Sequence, residues 1–220
     1  YDDKFTIDNW FRPDASHMVT VVEGKRGETV REVHMQPGER WTQKKYDEMN
    51  DRFQQQTLEH LRQLSQQGKP FFLQYWPVIP LYNPRTTRDQ YTTPNGGTYV
   101  ESMKQLDGWI GEVLEEVETL GIADDTVIVI MGDNGHFTKY SPGSGFSAMI
   151  YRGGKGDATE GGVRVDAFVR WPGMIEADSI VTDIVHITDL FTSLARFGGA
   201  TEKIPTDRII DGVDQSALML

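Results

Sequence analysis

Two stretches of the chain carry apolar residues at the three- and four-residue spacing of an amphipathic helix. Within residues 44–67 the apolar positions recur in a background of Gln, Glu and Arg, and Gly68 stands where a C-cap would. Within residues 103–120 the apolar positions alternate with outward-facing glutamates, and Gly121 follows. The pattern predicts two helices that end at these glycines, each with one apolar face.

Shorter apolar runs predict the remaining elements. Residues 71–76 form a continuous, largely aromatic run and residues 126–131 a β-branched one, and both are typical of strands buried on both faces. Residues 165–171 are strand-like, and residues 188–197 have a helical pattern that two glycines end. This order of helices and strands predicts an α/β fold, with a mixed or parallel sheet and helices on both faces.

The length of the chain is consistent with one domain, because 220 residues can bury a sizeable core without a second domain. Residues 1–43 predict a hairpin-rich or loop-rich entry, since the β-prone pieces at 18–22 and 30–33 are separated by Gly24 and Gly27. Residues 44–220 are predicted to form the α/β core.

Charge and composition exclude several classes of partner and chemistry. Lys and Arg number 22 and Asp and Glu 33, so the net charge is −11 and the average field repels nucleic acid. No apolar run approaches the ~20 residues of a membrane span, and no secretory signal pattern opens the chain. The absence of Cys excludes disulfides, thiolate catalysis and Cys-bound zinc.

An acid and an amide follow the apolar run at 126–131. Ligands of α/β sheets gather beyond the carboxyl ends of strands, and Asp133 and Asn134 offer there the hard oxygen atoms that suit Ca²⁺. The alternative is a plain turn, since Asn-Gly is also a strong hairpin signal. Because Ca²⁺ takes roughly 6–8 oxygen ligands, further ligands would have to come from elsewhere. His136 is the one histidine of five that stands close to this loop.

A glycine-rich segment at residues 152–164 surrounds a single lysine, Lys155. Glycines let an anion approach backbone N–H groups, and a lysine among them can hold an oxyanion, so a sulfate or phosphate ester is the expected guest. The segment is not a P-loop, because Gly156 follows Lys155 where Ser or Thr is required. The alternative is a flexible loop with a solvated lysine.

The order of motifs from about Lys69 to the C-terminus resembles the sulfatase family of the alkaline-phosphatase superfamily. The motifs lie at residues 70–73, 101–107, 121–126, 133–135, 152–156, 160–164, 170–173, 189–191 and 211–214. The resemblance implies an alkaline-phosphatase-like fold and the activity of an arylsulfatase-like sulfuric ester hydrolase. It further implies that Asp133 and Asn134 ligate one Ca²⁺ and that Lys155 contacts the sulfate as a catalytic and substrate-binding residue; His136 is expected to contact the substrate.

The chain departs from the family at two points. The family nucleophile is a formylglycine made from Cys or Ser in a C/S-x-P-x-R motif, and this chain contains no such motif. The family has a histidine in the loop after the strand at 71–76, and Val78 stands at that position here, so the contact is lost or shifted to Tyr82 or Asn83; the alternative is a different alignment of this proline-rich loop. We therefore expect an incomplete catalytic domain whose nucleophile lies outside this chain, and which is inactive alone.

Several expectations follow for partners. The substrate is expected to be a small-molecule or glycan sulfate ester, and sheet edges left open by absent strands would favour self-association. A periplasmic or secreted location is consistent with the family. Two alternatives stay open: a phosphoesterase of the same superfamily, against which Asn134 argues mildly, and a non-catalytic module that binds anions or calcium.

Overall fold

The computed structural model of the protein describes residues 22–24, 27–29, 31–32, 43–77, 99–135 and 150–220. In chain order its elements are β1 (Val22–Glu23), β2 (Arg31–Glu32), α1 (Gln43–Ser65), α2 (Tyr99–Thr119), β3 (Ile128–Met131), α3 (Glu160–Val163), β4 (Ala167–Arg170), α4 (Asp189–Phe197) and α5 (Ser216–Met219). Short 3₁₀ turns lie at Ala123–Asp125 and Thr201–Lys203. Within these ranges no helix is both long and apolar enough to cross a membrane.

Helices α1 and α2 lie where the apolar spacing predicts them, and each ends close to the expected glycine. Gly68 and Gly121 both have positive φ, 60° and 66°, which glycine adopts without the strain that a Cβ would cause. The apolar faces of the two helices meet at Leu61 and Val117, which form a buried cluster with Ala123. This cluster is the core on which the segment before β3 rests.

Polar contacts fix the register of α1 against α2. The Gln54 side-chain amide donates to the Trp109 carbonyl at 3.1 Å and to Glu112 at 2.8 Å. Directly beside Leu61 and Val117 in sequence, the Arg62 guanidinium donates to both carboxylate oxygens of Glu116, at 2.8 and 2.6 Å. The two helices are therefore joined by a buried amide at one level and by a bidentate ion pair at another.

The described strands form two antiparallel pairs. β3 pairs with β4 from Ile128 opposite Arg170 to Met131 opposite Ala167, and no parallel pair of the predicted mixed or parallel sheet is among the described strands. The short pair of β1 with β2 lies where the sequence predicts a hairpin. Both strands of the β3–β4 pair keep one edge without a partner strand among the described residues.

The predicted strand at residues 71–76 is wrong for the structure as described. Within the part of the chain that the structure describes, the segment is not paired with a strand, and its burial alternates: Phe71 and Leu73 pack on the core cluster while Phe72 and Trp76 are 69% and 70% exposed. Burial on both faces is therefore wrong here, and β3 is half-buried rather than fully covered. An aromatic run shows only that the segment is apolar. Whether its second face is buried depends on packing against residues that are distant in sequence.

The end of β4 ties the sheet to both helical regions. Arg170 forms an ion pair with Glu118 at the end of α2. The Trp171 indole N–H donates to the Asp124 carbonyl at 2.8 Å, and its ring packs edge-on against Phe197 of α4 with centroids 5.1 Å apart. These contacts hold β3 and β4 in place, so that the loops after β3 and before β4 have a fixed base.

Candidate functional site

The loop that follows β3 presents the predicted acid and amide. Asp133 is exposed and its carboxylate oxygen accepts the backbone N–H of Asn134 at 2.8 Å. The Asn134 side-chain nitrogen donates to the Gly135 carbonyl at 2.8 Å, which turns the amide oxygen away from that bond. β3 pairs with β4, and the segment that follows Gly135 lies outside the described residues.

Lys155 stands in a tight turn of the glycine-rich loop. The Asp157 backbone N–H donates to the Gly154 carbonyl at 2.9 Å, and Gly156 between them has φ of 93°. A β-turn whose third residue alone has positive φ is a type II turn, and glycine is the residue that this position favours. Lys155 is therefore at the second position of a hydrogen-bonded turn and is half-buried.

The structure brings the two loops together through backbone contacts between glycines. The Gly135 N–H donates to the Gly162 carbonyl at 3.0 Å. A Cβ built on Gly135 would lie 1.9 Å from the Gly161 carbonyl oxygen, and one built on Gly162 would lie 2.0 Å from the Asp157 carbonyl oxygen. A real Cβ cannot come so close to a carbonyl oxygen, so only glycine lets the two backbones approach each other this closely. The loop of Lys155 is thus closed onto the loop of Asp133 and Asn134.

Two residues outside the predicted set, Arg164 and Asp157, make contacts within or directly beside the glycine-rich segment. The Arg164 guanidinium lies 4.6 Å from the centroid of the Tyr151 ring and forms an i,i+4 ion pair with Glu160 at 3.1 Å. This hydrogen bond to Glu160 raises the pKa of Arg164 above its ordinary value. Asp157 is the second of these residues, and its sequence signal is the pair Gly154 and Gly156, which favour a turn that ends at Asp157.

The donor atoms suit a hard cation in kind but not in number. Asp133 and Asn134 supply two oxygen ligands of the roughly 6–8 that Ca²⁺ takes. Within the described ranges no group of three or more His, Asp or Glu side chains is arranged to hold a metal ion. Two further positions of interest, His136 and Val78, lie outside the described residues.

The fold is shared with solved sulfatases. The chain superposes on the crystal structure of a sulfatase from Pseudoalteromonas sp. with a TM-score of 0.71 and 24% identity, over 90% of this chain and 39% of that one. It superposes on Ps i-CgsB in complex with k-i-k-neocarrahexaose with a TM-score of 0.63 and 22% identity, over 84% and 40%. These likenesses confirm the predicted fold class, the α/β fold of the sulfatases.

The family follows from the sequence comparison. The sequence model described as Sulfatase matches residues 25–200, so the likeness begins well before Lys69, where the motifs alone place it. Among the relatives, rat steryl-sulfatase is 39% identical over 128 residues, 56% of this chain and 22% of that protein. Rat N-acetylgalactosamine-6-sulfatase is 33% identical over 167 residues, 76% of this chain and 31% of that protein. The chain belongs to the sulfatase family, and it spans about a fifth to a third of the length of these relatives.

Proposed function

We propose that this chain is the C-terminal part of the catalytic domain of an arylsulfatase-like sulfuric ester hydrolase. The observation that carries the proposal is the hydrogen bond from Gly135 to Gly162, which closes the loop of Lys155 on the loop of Asp133 and Asn134. Membership of the sulfatase family supports it over the phosphoesterase alternative. The nucleophile, a formylglycine by family resemblance, comes from a segment outside this chain.

Each residue of the site has a proposed role. Lys155 donates to oxygens of the sulfate and stabilises the charge that builds up as the ester bond breaks. Asp133 and Asn134 hold one Ca²⁺, with further ligands from outside this chain, and His136 contacts the substrate. When bound, the cation supplies a second fixed positive charge at the sulfate. A nucleophile from outside this chain would attack sulfur, so that a new bond to sulfur forms as the ester S–O bond breaks and the alcohol leaves with a proton from solvent.

Two substitutions in the complete protein test this assignment. We expect Lys155→Ala and Asp133→Ala each to lower kcat/KM for an aryl sulfate by about a hundredfold or more, the scale on which removing one electrostatic contact acts. Calcium affinity, measured by isothermal titration, is expected to fall mainly in Asp133→Ala. Wild-type rates in both variants would contradict the roles, and a preference for aryl phosphate over aryl sulfate would make the protein a phosphoesterase. Calcium binding without turnover of either ester would indicate a non-catalytic module.

The proposed substrate is a small-molecule or glycan sulfate ester in a secreted or periplasmic setting. Steryl-sulfatase and N-acetylgalactosamine-6-sulfatase, whose names refer to a sterol and a sugar, both support an ester of an organic alcohol. A panel of steryl sulfate and 6-sulfated N-acetylgalactosamine separates the two classes. Cell fractionation with an antibody to this chain tests the compartment, and a cytosolic signal alone would contradict it.

A further inference from the structure

The turn that carries Lys155 is closed twice by one residue, Asp157. Its backbone N–H donates to the Gly154 carbonyl at 2.9 Å, as in any β-turn. Its carboxylate also accepts the Gly154 N–H at 3.1 Å, so both polar groups of Gly154 are bound by the same residue. A hydrogen bond to a charged acceptor is stronger than one between neutral groups, and it reduces the freedom of the turn to open.

The same residue also anchors the turn to the rest of the site. The Asp157 carbonyl oxygen lies only 2.0 Å from where a Gly162 Cβ would be, and the Gly154 carbonyl oxygen 2.7 Å from it. Gly162 in turn accepts the N–H of Gly135, next to Asn134. A chain of backbone contacts therefore runs from the Asp133 loop through Gly162 to the two ends of the Lys155 turn.

The start of the loop is fixed independently of this turn. The Thr159 hydroxyl and the Gly161 N–H both donate to the Arg152 carbonyl at 2.8 Å. Gly153 has φ of 87°, and a Cβ there would lie 2.0 Å from the Thr159 hydroxyl oxygen. The loop can therefore stay folded at its base while the tip between Gly154 and Asp157 depends on Asp157.

We propose that Asp157 is a positioning residue that holds Lys155 at the distance from Asp133 and Asn134 that sulfate binding requires. It acts through the turn and does not touch the substrate. The inference rests on the proposed function of Lys155. A misplacement of about 1 Å in such a group can cost on the order of a hundredfold in rate, so a loosened turn has a measurable effect.

Asp157→Ala and Asp157→Asn in the complete protein test the inference. The alanine removes the acceptor of the Gly154 N–H, while the asparagine oxygen keeps one. We expect kcat/KM for an aryl sulfate to fall about ten- to a hundredfold in Asp157→Ala and to stay within about threefold in Asp157→Asn. Asp124→Ala, the same change at an exposed position of the 3₁₀ turn before β3, serves as the control and is expected to leave kcat/KM unchanged.

A double-mutant cycle separates positioning from a general loss of structure. If Asp157 acts through Lys155, Asp157→Ala has no further effect on kcat/KM once Lys155 is alanine. An equal loss with and without Lys155, or wild-type kcat/KM in Asp157→Ala, would overturn the inference.

Hydrogen exchange of the Gly154 amide tests the turn without any activity. Faster exchange in Asp157→Ala than in Asp157→Asn supports the holding role, and equal exchange overturns it. If the wild-type protein hydrolyses no sulfate ester, the proposed function fails, while this exchange measurement still decides whether Asp157 holds the turn.

Discussion

At the scale of single residues, the approach of the two site loops is set by glycines that cannot be replaced. Gly162 is buried, and its hydrogen atoms face the Asp157 carbonyl where a Cβ would lie 2.0 Å from the oxygen. We predict that Gly162→Ala lowers the free energy of unfolding by about 1–3 kcal/mol, because the backbone must move to admit the methyl group. Urea denaturation measures the change.

A matched glycine on α2 supplies the control. Gly108 lies in a helix and nothing lies within 4 Å of a Cβ built on it. Gly108→Ala is expected to leave stability unchanged or raise it by up to about 1 kcal/mol, because alanine favours the helix more than glycine does. A Gly162→Ala protein as stable as Gly108→Ala would show that the loops do not pack as closely as described.

The sequence identifies candidate residues for the site, but it does not indicate how the two loops that carry them meet. Asp133 and Lys155 can be identified from strand ends and glycine spacing, because these are local properties of the chain. The bond between Gly135 and Gly162 cannot, since it depends on how two loops far apart in sequence meet. The role of the Asp157 carboxylate cannot be read from the sequence either: the glycine spacing predicts a turn there, but a carboxylate becomes an acceptor within that turn only when the backbone around it is folded.

At the scale of elements, a buried carboxylate joins the start of α4 to the C-terminal segment. Asp189 accepts the N–H of Val213 at 2.9 Å and that of His186 at 2.8 Å. These two donors lower the pKa of Asp189 below its ordinary value. A second carboxylate in the C-terminal segment, Asp214, accepts hydrogen bonds from Ser216 and Arg196, which lower its pKa to about 2. Both carboxylates therefore favour the folded state in their charged form.

We predict that Asp189→Asn costs about 1–3 kcal/mol of unfolding free energy at pH 7, because one N–H donor loses its charged acceptor. The folded pKa lies below the unfolded one, so the contribution of Asp189 is complete above about pH 5 and is lost as the pH falls through its ordinary value of about 3.9 towards the folded one. The difference in the free energy of unfolding between wild type and Asp189→Asn, measured by urea denaturation at several pH values, should become smaller at acid pH. Asp183→Asn, at an exposed position, is the control. A loss of unfolding free energy in Asp189→Asn that is the same at pH 3 and pH 7 would contradict the stabilising role of the charged carboxylate.

Elements differ in how far local sequence decides them. Helices α1, α2 and α4 lie within a few residues of their predicted bounds, because a 3.6-residue period with a closing glycine is a local signal. The short helix α3 is not predicted, since its two glycines disfavour a helix and are there for close approach. The segment at 71–76 has strand-like alternation, but whether a neighbour strand pairs with it is decided elsewhere in the protein.

At the scale of the whole molecule, exposed apolar surface favours association between copies of the chain, while the large net charge acts against it. Beyond Phe72 and Trp76, exposed large apolar side chains of the described chain cluster at Ile180, Val181, Ile184, Val185 and Ile187. Among the described strands, β3 and β4 each have one edge without a partner, and unpaired edges favour association with a second copy. The net charge of −11 acts against association, and salt screens it with a Debye length of about 10 Å at 0.1 M.

We predict that this chain on its own self-associates, and more so in 0.5 M than in 0.02 M NaCl. Phe168 of β4 is 65% exposed and pairs with Ile130, so a substitution there can test whether copies associate through the edge of β4. Phe168→Lys is expected to reduce the weight-average mass in sedimentation equilibrium, because a lysine on an edge strand opposes pairing with another sheet. Val163→Lys adds the same charge at an equally exposed position of α3, outside the sheet, and should reduce association less. Equal effects of the two lysines would show that charge alone, and not the sheet edge, governs association.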